Sequence, residues 1–94
     1  MNTYPLLKSF PLGQSAITVN ALGRLHPADV CAALQRHARG DWGDLSEEDR
    51  AVNELSLQEG SRLLSAYQDR KGTKFWIITD ADRSSTVVLL PEDH

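Results

Sequence analysis

The clearest periodicity in the chain is "HPADVCAALQRHARG", where Val30, Ala33, Leu34, His37 and Ala38 recur at the spacing of one helical face. Pro27 suits the first helical position, because its missing N–H would be unpaired there anyway. Asp29 lies in the first turn and Arg36, His37 and Arg39 in the last, both favourable to the helix dipole, and Gly40 is a natural stop. A second helix is predicted from Ser46, an N-cap followed by Glu47, Glu48 and Asp49, to Gly60. Val52 and Leu55 form its expected inward stripe, with Ala51 and Leu57 at the edges.

The last third changes period. "RLLSAYQD", "TKFWIIT" and "STVVLLP" are short, β-branched and aromatic runs separated by "DRKG" and "DADRS", which predicts three strands in an antiparallel meander. Near the start, "SAITVNALG" offers a further strand through Ile17 and Val19. Residues 1–14, with Pro5, Pro11 and Gly13, read as an irregular arm. The expected architecture is a single α+β domain over residues 1–94, in the order β-α-α-β-β-β, with a helical hairpin packed on a mainly antiparallel sheet. In "KFWII", Phe75 and Ile77 point one way and Trp76 and Ile78 the other, so both faces of that strand need cover. Two helices cover one face. The other is left to the arm, through Leu6, Leu7 and Phe10, or to a second copy, which makes a homodimeric structural accessory one of the alternative readings of function.

Composition narrows the function classes. The 94 residues are 40% hydrophobic and 24% charged with a formal charge of -3, which fits a cytoplasmic protein and disfavours nonspecific nucleic-acid binding. No apolar run approaches the roughly 20 residues of a spanning helix, and no secretory signal is seen. Cys31, the single cysteine, is expected to be a buried small hydrophobe, since nothing nearby would activate a thiol.

Candidate chemistry is sparse, and no cofactor is expected. "DADRSS" opens like a calcium loop, but Ser85 stands where glycine is wanted and Pro91 where a bidentate glutamate is wanted. Asp80 and Asp82 are therefore read as turn caps. His26, His37 and His94 lack zinc spacing, and neither a G-x-S-x-G serine nor a phosphate-binding loop is present. No catalytic residue and no metal site is assigned. Arg62, Arg70, Lys71, Lys74 and Arg83 collect near the meander's ends, with Tyr67 and Trp76 available to stack on bases. With the element order, they raise a second reading, a ribonuclease toxin of the RelE type acting on RNA. That reading is one of topology alone.

"RHARGDWGDLSEEDR" is the most distinctive stretch, a basic run followed by Asp41, Asp44, Glu47, Glu48 and Asp49, with Trp42 among them. Dipole complementarity between consecutive helix ends accounts for the charges without any function. The functional alternative makes these acids, with Trp42 and with Trp76 of the two-sided strand, the contact surface for a protein partner. Trp42, between Gly40 and Gly43, is either a lid on the core or an aromatic anchor ringed by carboxylates.

Across residues 16–93, and most plainly at "HARGDWGDLSEEDRAVNE" and "FWIITDADRSSTVVLLPED", the chain resembles a family of small proteins from bacterial plasmids and integrative conjugative elements. Members of that family are often described only as plasmid-related proteins, and some as a type I restriction M subunit, a label for which this short chain has no methyltransferase motifs. The resemblance implies a mobile-element accessory protein that keeps company with anti-defence genes. It suggests an inhibitor of a host system such as restriction or CRISPR, acting by binding protein, and it brings no catalytic residues.

Overall fold

A computed structural model describes residues 10–94. Its elements are β1 (Gln14–Ile17), α1 (Val19–Arg24), α2 (Pro27–Ala38), α3 (Glu47–Glu59), β2 (Leu63–Gln68), β3 (Lys74–Thr79), β4 (Ser85–Leu89) and a closing 3₁₀ turn, Pro91–Asp93. The strands form one sheet in the order β1-β4-β3-β2. The meander β2-β3-β4 is antiparallel, and β1 joins β4 in parallel. The fold is α+β, as the periodicities predict.

The first strand is shorter than expected because a helix takes over its second half. The Thr18 hydroxyl accepts the Ala21 N–H at 3.1 Å and caps α1, while Asp93 at the far end of the chain accepts from Thr18 and Asn20. Val19 therefore leaves the ladder.

The inner face of the sheet carries Leu63, Ser65 and Tyr67 from β2, Phe75, Ile77 and Thr79 from β3, and Thr86 and Val88 from β4, all buried. α2 presses Val30, Ala33 and His37 onto it, the face that the spacing marked. His37 reaches Ser65 through Nδ1 and Thr79 through Nε2 (2.9 Å), and Thr79 meets Thr86 at 2.7 Å. Each buried polar group thus has a partner, which is what makes a polar layer tolerable inside a small core.

The second helix departs from expectation. Val52 and Leu55 are 61% and 54% exposed, and the side chain that faces inward is Asn53. α3 lies along the free edge of β2, where Asn53 bonds both backbone groups of Leu64. An edge strand needs hydrogen-bond partners more than apolar cover, and an asparagine amide supplies one donor and one acceptor. With α3 at the edge, α2 and the short α1 are the described helices that cover the inner face. An open apolar groove of about 260 Å³ remains between β1, α1 and α2. Cys31 lines it and is exposed, so the expectation of a buried thiol is corrected. Leu6 and Leu7, expected with Phe10 to close the other face of the sheet, fall outside the described residues, and Phe10 packs instead beside His37 and Trp42 on the inner side.

Candidate interaction surface

The acidic stretch is built as a covering for the β2 edge. The Ala66 N–H donates to the Trp42 carbonyl at 3.2 Å, and the Asp44 N–H donates to the Ala66 carbonyl at 2.7 Å. Gly43, between them, has φ +73° and lies so close to the Ala66 carbonyl that a Cβ would collide with it. From α3, Arg50 reaches back to the carbonyls of Leu45 (3.1 Å) and Gly43 (2.6 Å), pinning the connection.

Trp42 is 3% exposed. Its ring lies near-parallel to Phe10 at 6.2 Å and edge-on to His37 at 5.8 Å, and its indole N–H donates to Glu54 at 2.7 Å. It is the lid. Of the residues considered as partner contacts, Trp42 is therefore withdrawn, because a side chain enclosed on all sides offers a partner no surface.

The acids divide into two groups. Asp41 is committed internally: it pairs with Arg36 at 2.8 Å and accepts the Gly43 N–H. The Arg36 hydrogen bond is the main reason its carboxyl is held below the usual range, against a smaller opposing effect of burial. Asp44, Glu47, Glu48 and Asp49 are exposed, and among the described residues none of them forms an ion pair. Ser46 caps the helix by accepting the Asp49 N–H at 3.2 Å, which sets the three acids in the first turn where the dipole favours them. Along α3, Glu48, Val52, Leu55 and Glu59 follow one another at helical spacing, so the exposed apolar pair lies between carboxylates on one face.

Trp76 is elsewhere. It lies on the outer face of the sheet with Leu64, Ala66, Ile78 and Val87, all half-buried, and His94 packs edge-on against its ring at 5.6 Å. The sequence grouped Trp76 with the acids; the fold does not bring it into the α3 stripe.

The basic residues at the meander's ends do not gather into a groove. Arg70 is engaged with Asp29 at 2.9 Å and Lys71 with the Arg24 carbonyl at 2.8 Å. Arg62 meets His94 at 3.1 Å, and Arg83 donates to the carbonyls of Ser61 (2.6 Å) and Ser56 (3.2 Å). Arg83 adopts φ +62° to do so and brings positive charge to the C-terminal end of α3, whose own last turn has none.

Ser65 and His37 are paired, as a nucleophile and its base would be, a juxtaposition that no sequence spacing revealed. Both are fully buried, so no substrate reaches them in this conformation. Burial, reinforced by the charge of Arg83, pushes the His37 imidazole down to about 4, and it is neutral near pH 7. Among the described residues, no three His, Cys, Asp or Glu side chains gather where a metal ion could be held, and no helix is long and apolar enough to cross a membrane. Asp80 and Asp82 accept from Ser85 and Ser84 within the β3–β4 turn, as turn caps do. Comparison with models of known families, with curated proteins and with solved structures gives no match for the chain.

Proposed function

We propose that the chain is a non-enzymatic protein-binding accessory of a mobile genetic element, which acts by occupying a component of a host defence system such as restriction or CRISPR. The observation that carries the binding reading is the exposed face of α3, where Val52 and Leu55 stand among Glu47, Glu48, Asp49 and Glu59. Aliphatic side chains left open on a helix that has already satisfied its edge strand give a partner something to desolvate, and the surrounding carboxylates select one with a basic rim. The mobile-element setting comes from the family resemblance, not from the site. The engagement of Arg62, Arg70, Lys71 and Arg83 within the chain favours this reading over an RNA-cleaving one, which needs free cations along a groove.

The test is affinity capture from a host carrying restriction and CRISPR systems, with recovered proteins identified by mass. It is run beside a Val52→Ser/Leu55→Ser variant whose fold is checked by circular dichroism. The expected result is a defence protein retained by the natural chain and lost with the variant. Equal recovery by both chains, or RNA cleavage that follows the protein through purification, would overturn the reading.

A further inference from the structure

The two edges of the sheet are treated differently. The β2 edge is bonded by Trp42, Asp44 and Asn53. At the other edge, the Gln14 N–H donates to the Ser84 carbonyl at 2.9 Å and the Thr18 N–H to the Val88 carbonyl at 3.0 Å. In a parallel ladder of this register, Gln14, Ala16 and Thr18 turn their backbone groups toward β4, and Ser15 and Ile17 turn theirs outward. Gln14, Ser15 and Ala16 are exposed, and among the described residues no strand lies beyond β1. The edge also lacks the usual guards against strand pairing: β1 contains no charge and no proline. Beside it, Val19 is 88% and Leu22 63% exposed.

We infer that β1 is a self-association edge, pairing antiparallel with β1 of a second copy of this chain. The sequence of the edge is what selects a second copy over another partner. A twofold axis through Ala16 sets Ser15 opposite Ile17 of the other chain, and Ile17 opposite its Ser15. The outward N–H and C=O of all four residues then bond reciprocally, as in the hydrogen-bonded pairs of an antiparallel ladder. Ser15 and Ile17 stand in register with Thr86 and Val88, so their side chains lie on the inner face. The second copy's Ile17 thus arrives beside Ser15 at the border of the apolar groove, whose floor includes Ile17 and Val88. The four residues of β1 are uncharged, so two net-acidic chains can meet there without setting carboxylates opposite one another in the ladder. This contact is separate from the α3 surface and does not depend on it.

Three full-length variants test the edge. Ser15→Pro removes an outward N–H and leaves every bond to β4 in place, a substitution that edge strands tolerate. Ala16→Lys and Ala16→Glu each put like charges face to face at the axis. Sedimentation equilibrium over micromolar to millimolar concentration is expected to show a dimer for the natural chain. Ser15→Pro should raise the dissociation constant roughly thirtyfold, two donors being lost per dimer. Ala16→Lys and Ala16→Glu should each be monomeric alone and dimeric when mixed, an outcome that loss of folding could not produce. Amide exchange in the natural chain should slow at Ser15 and Ile17 as concentration rises. A natural chain that stays monomeric throughout, a mixture that fails to pair, or a dimer abolished by Trp76→Ala and indifferent to Ser15→Pro would each sink the inference.

Discussion

The Asn53 side chain meets both backbone groups of Leu64: its Oδ1 accepts the Leu64 N–H at 3.2 Å and its Nδ2 donates to the Leu64 carbonyl. A single amide thus stands in for a neighbouring strand and fixes where α3 lies. Asn53→Leu is expected to destabilise the domain by about 2 kcal/mol despite the added apolar volume, because two backbone groups would lose their partners. Asn53→Asp should be similar, since the carboxylate retains the acceptor and loses the donor to Leu64. Denaturant unfolding of the three chains measures this. An Asn53→Leu protein at least as stable as the natural one would mean that apolar packing, not edge pairing, holds α3.

Trp42 gives the larger effect. Truncation to alanine removes its contacts with Phe10 and His37 and its bond to Glu54, and opens a hole above the inner face. The expected loss is about 3–5 kcal/mol, a large share of the stability of so small a domain. Trp42→Phe should recover part of the packing but leave the Glu54 bond unmade. A thermal melt of the three chains should rank them natural, Phe, Ala.

His37 makes stability depend on pH. Its folded pKa, about 4, lies below the ordinary value of 6.5, so between these limits the unfolded chain binds more protons than the folded one. The contribution is fully present above pH 6.5 and is lost progressively as the pH falls to about 4, amounting to about 3 kcal/mol. Asp29 is held at about 2, mainly by hydrogen bonds from Arg70, so its contribution is present above its ordinary value of 3.8 and disappears only at lower pH. Asp41, Asp69, Asp82 and Asp93 are likewise held below 3.8, so between about pH 5 and 6.5 the histidine acts nearly alone. Unfolding midpoints should decline across that interval in the natural chain and much less in His37→Gln. A flat natural profile would mean that the imidazole can be charged without leaving the core.

The parts of this fold that were legible in the sequence are those where burial follows period. Val30, Ala33 and His37 repeat at helical spacing and meet the sheet, and the alternation in "KFWIIT" sorts Phe75, Ile77 and Thr79 to the inner face. The bounds of α3 are legible, from its Ser46 cap to Gly60, but its docking face is not, because the attachment is a hydrogen-bonding one: Val52 and Leu55 give an apolar stripe, while the residue that docks is polar. No hydrophobic pattern carries that information. The short α1 was hidden because Thr18, its cap, also continues a β-branched run. Residue type alone makes Cys31 a core candidate and cannot anticipate the groove that stays open between β1, α1 and α2. For the surface, sequence located the acids but could not separate Asp41, tied to Arg36, from Glu47 and Glu48, since that difference depends on which cations lie near in space.

That difference sets the last prediction, which concerns Glu47→Gln/Glu48→Gln. Both side chains lie in the first turn of α3, where their charge favours the helix dipole, so neutralising them should cost roughly 0.3–1 kcal/mol each and leave the fold intact. On binding, the two roles of these acids diverge. As helix caps alone, they would leave association with a captured partner unchanged. As the rim of the proposed contact, they steer encounter with a basic surface, and their loss should slow association while leaving dissociation nearly as it was. The slowing should be clear in low salt and fade above about 0.1 M, where the Debye length shrinks to about 10 Å. Val52→Ser/Leu55→Ser should do the reverse, speeding dissociation with little salt dependence, because desolvated aliphatic contacts act after encounter. Surface plasmon resonance at several ionic strengths separates the two signatures. If the glutamine pair associates at the natural rate in low salt, the acids are caps and the contact lies on another face.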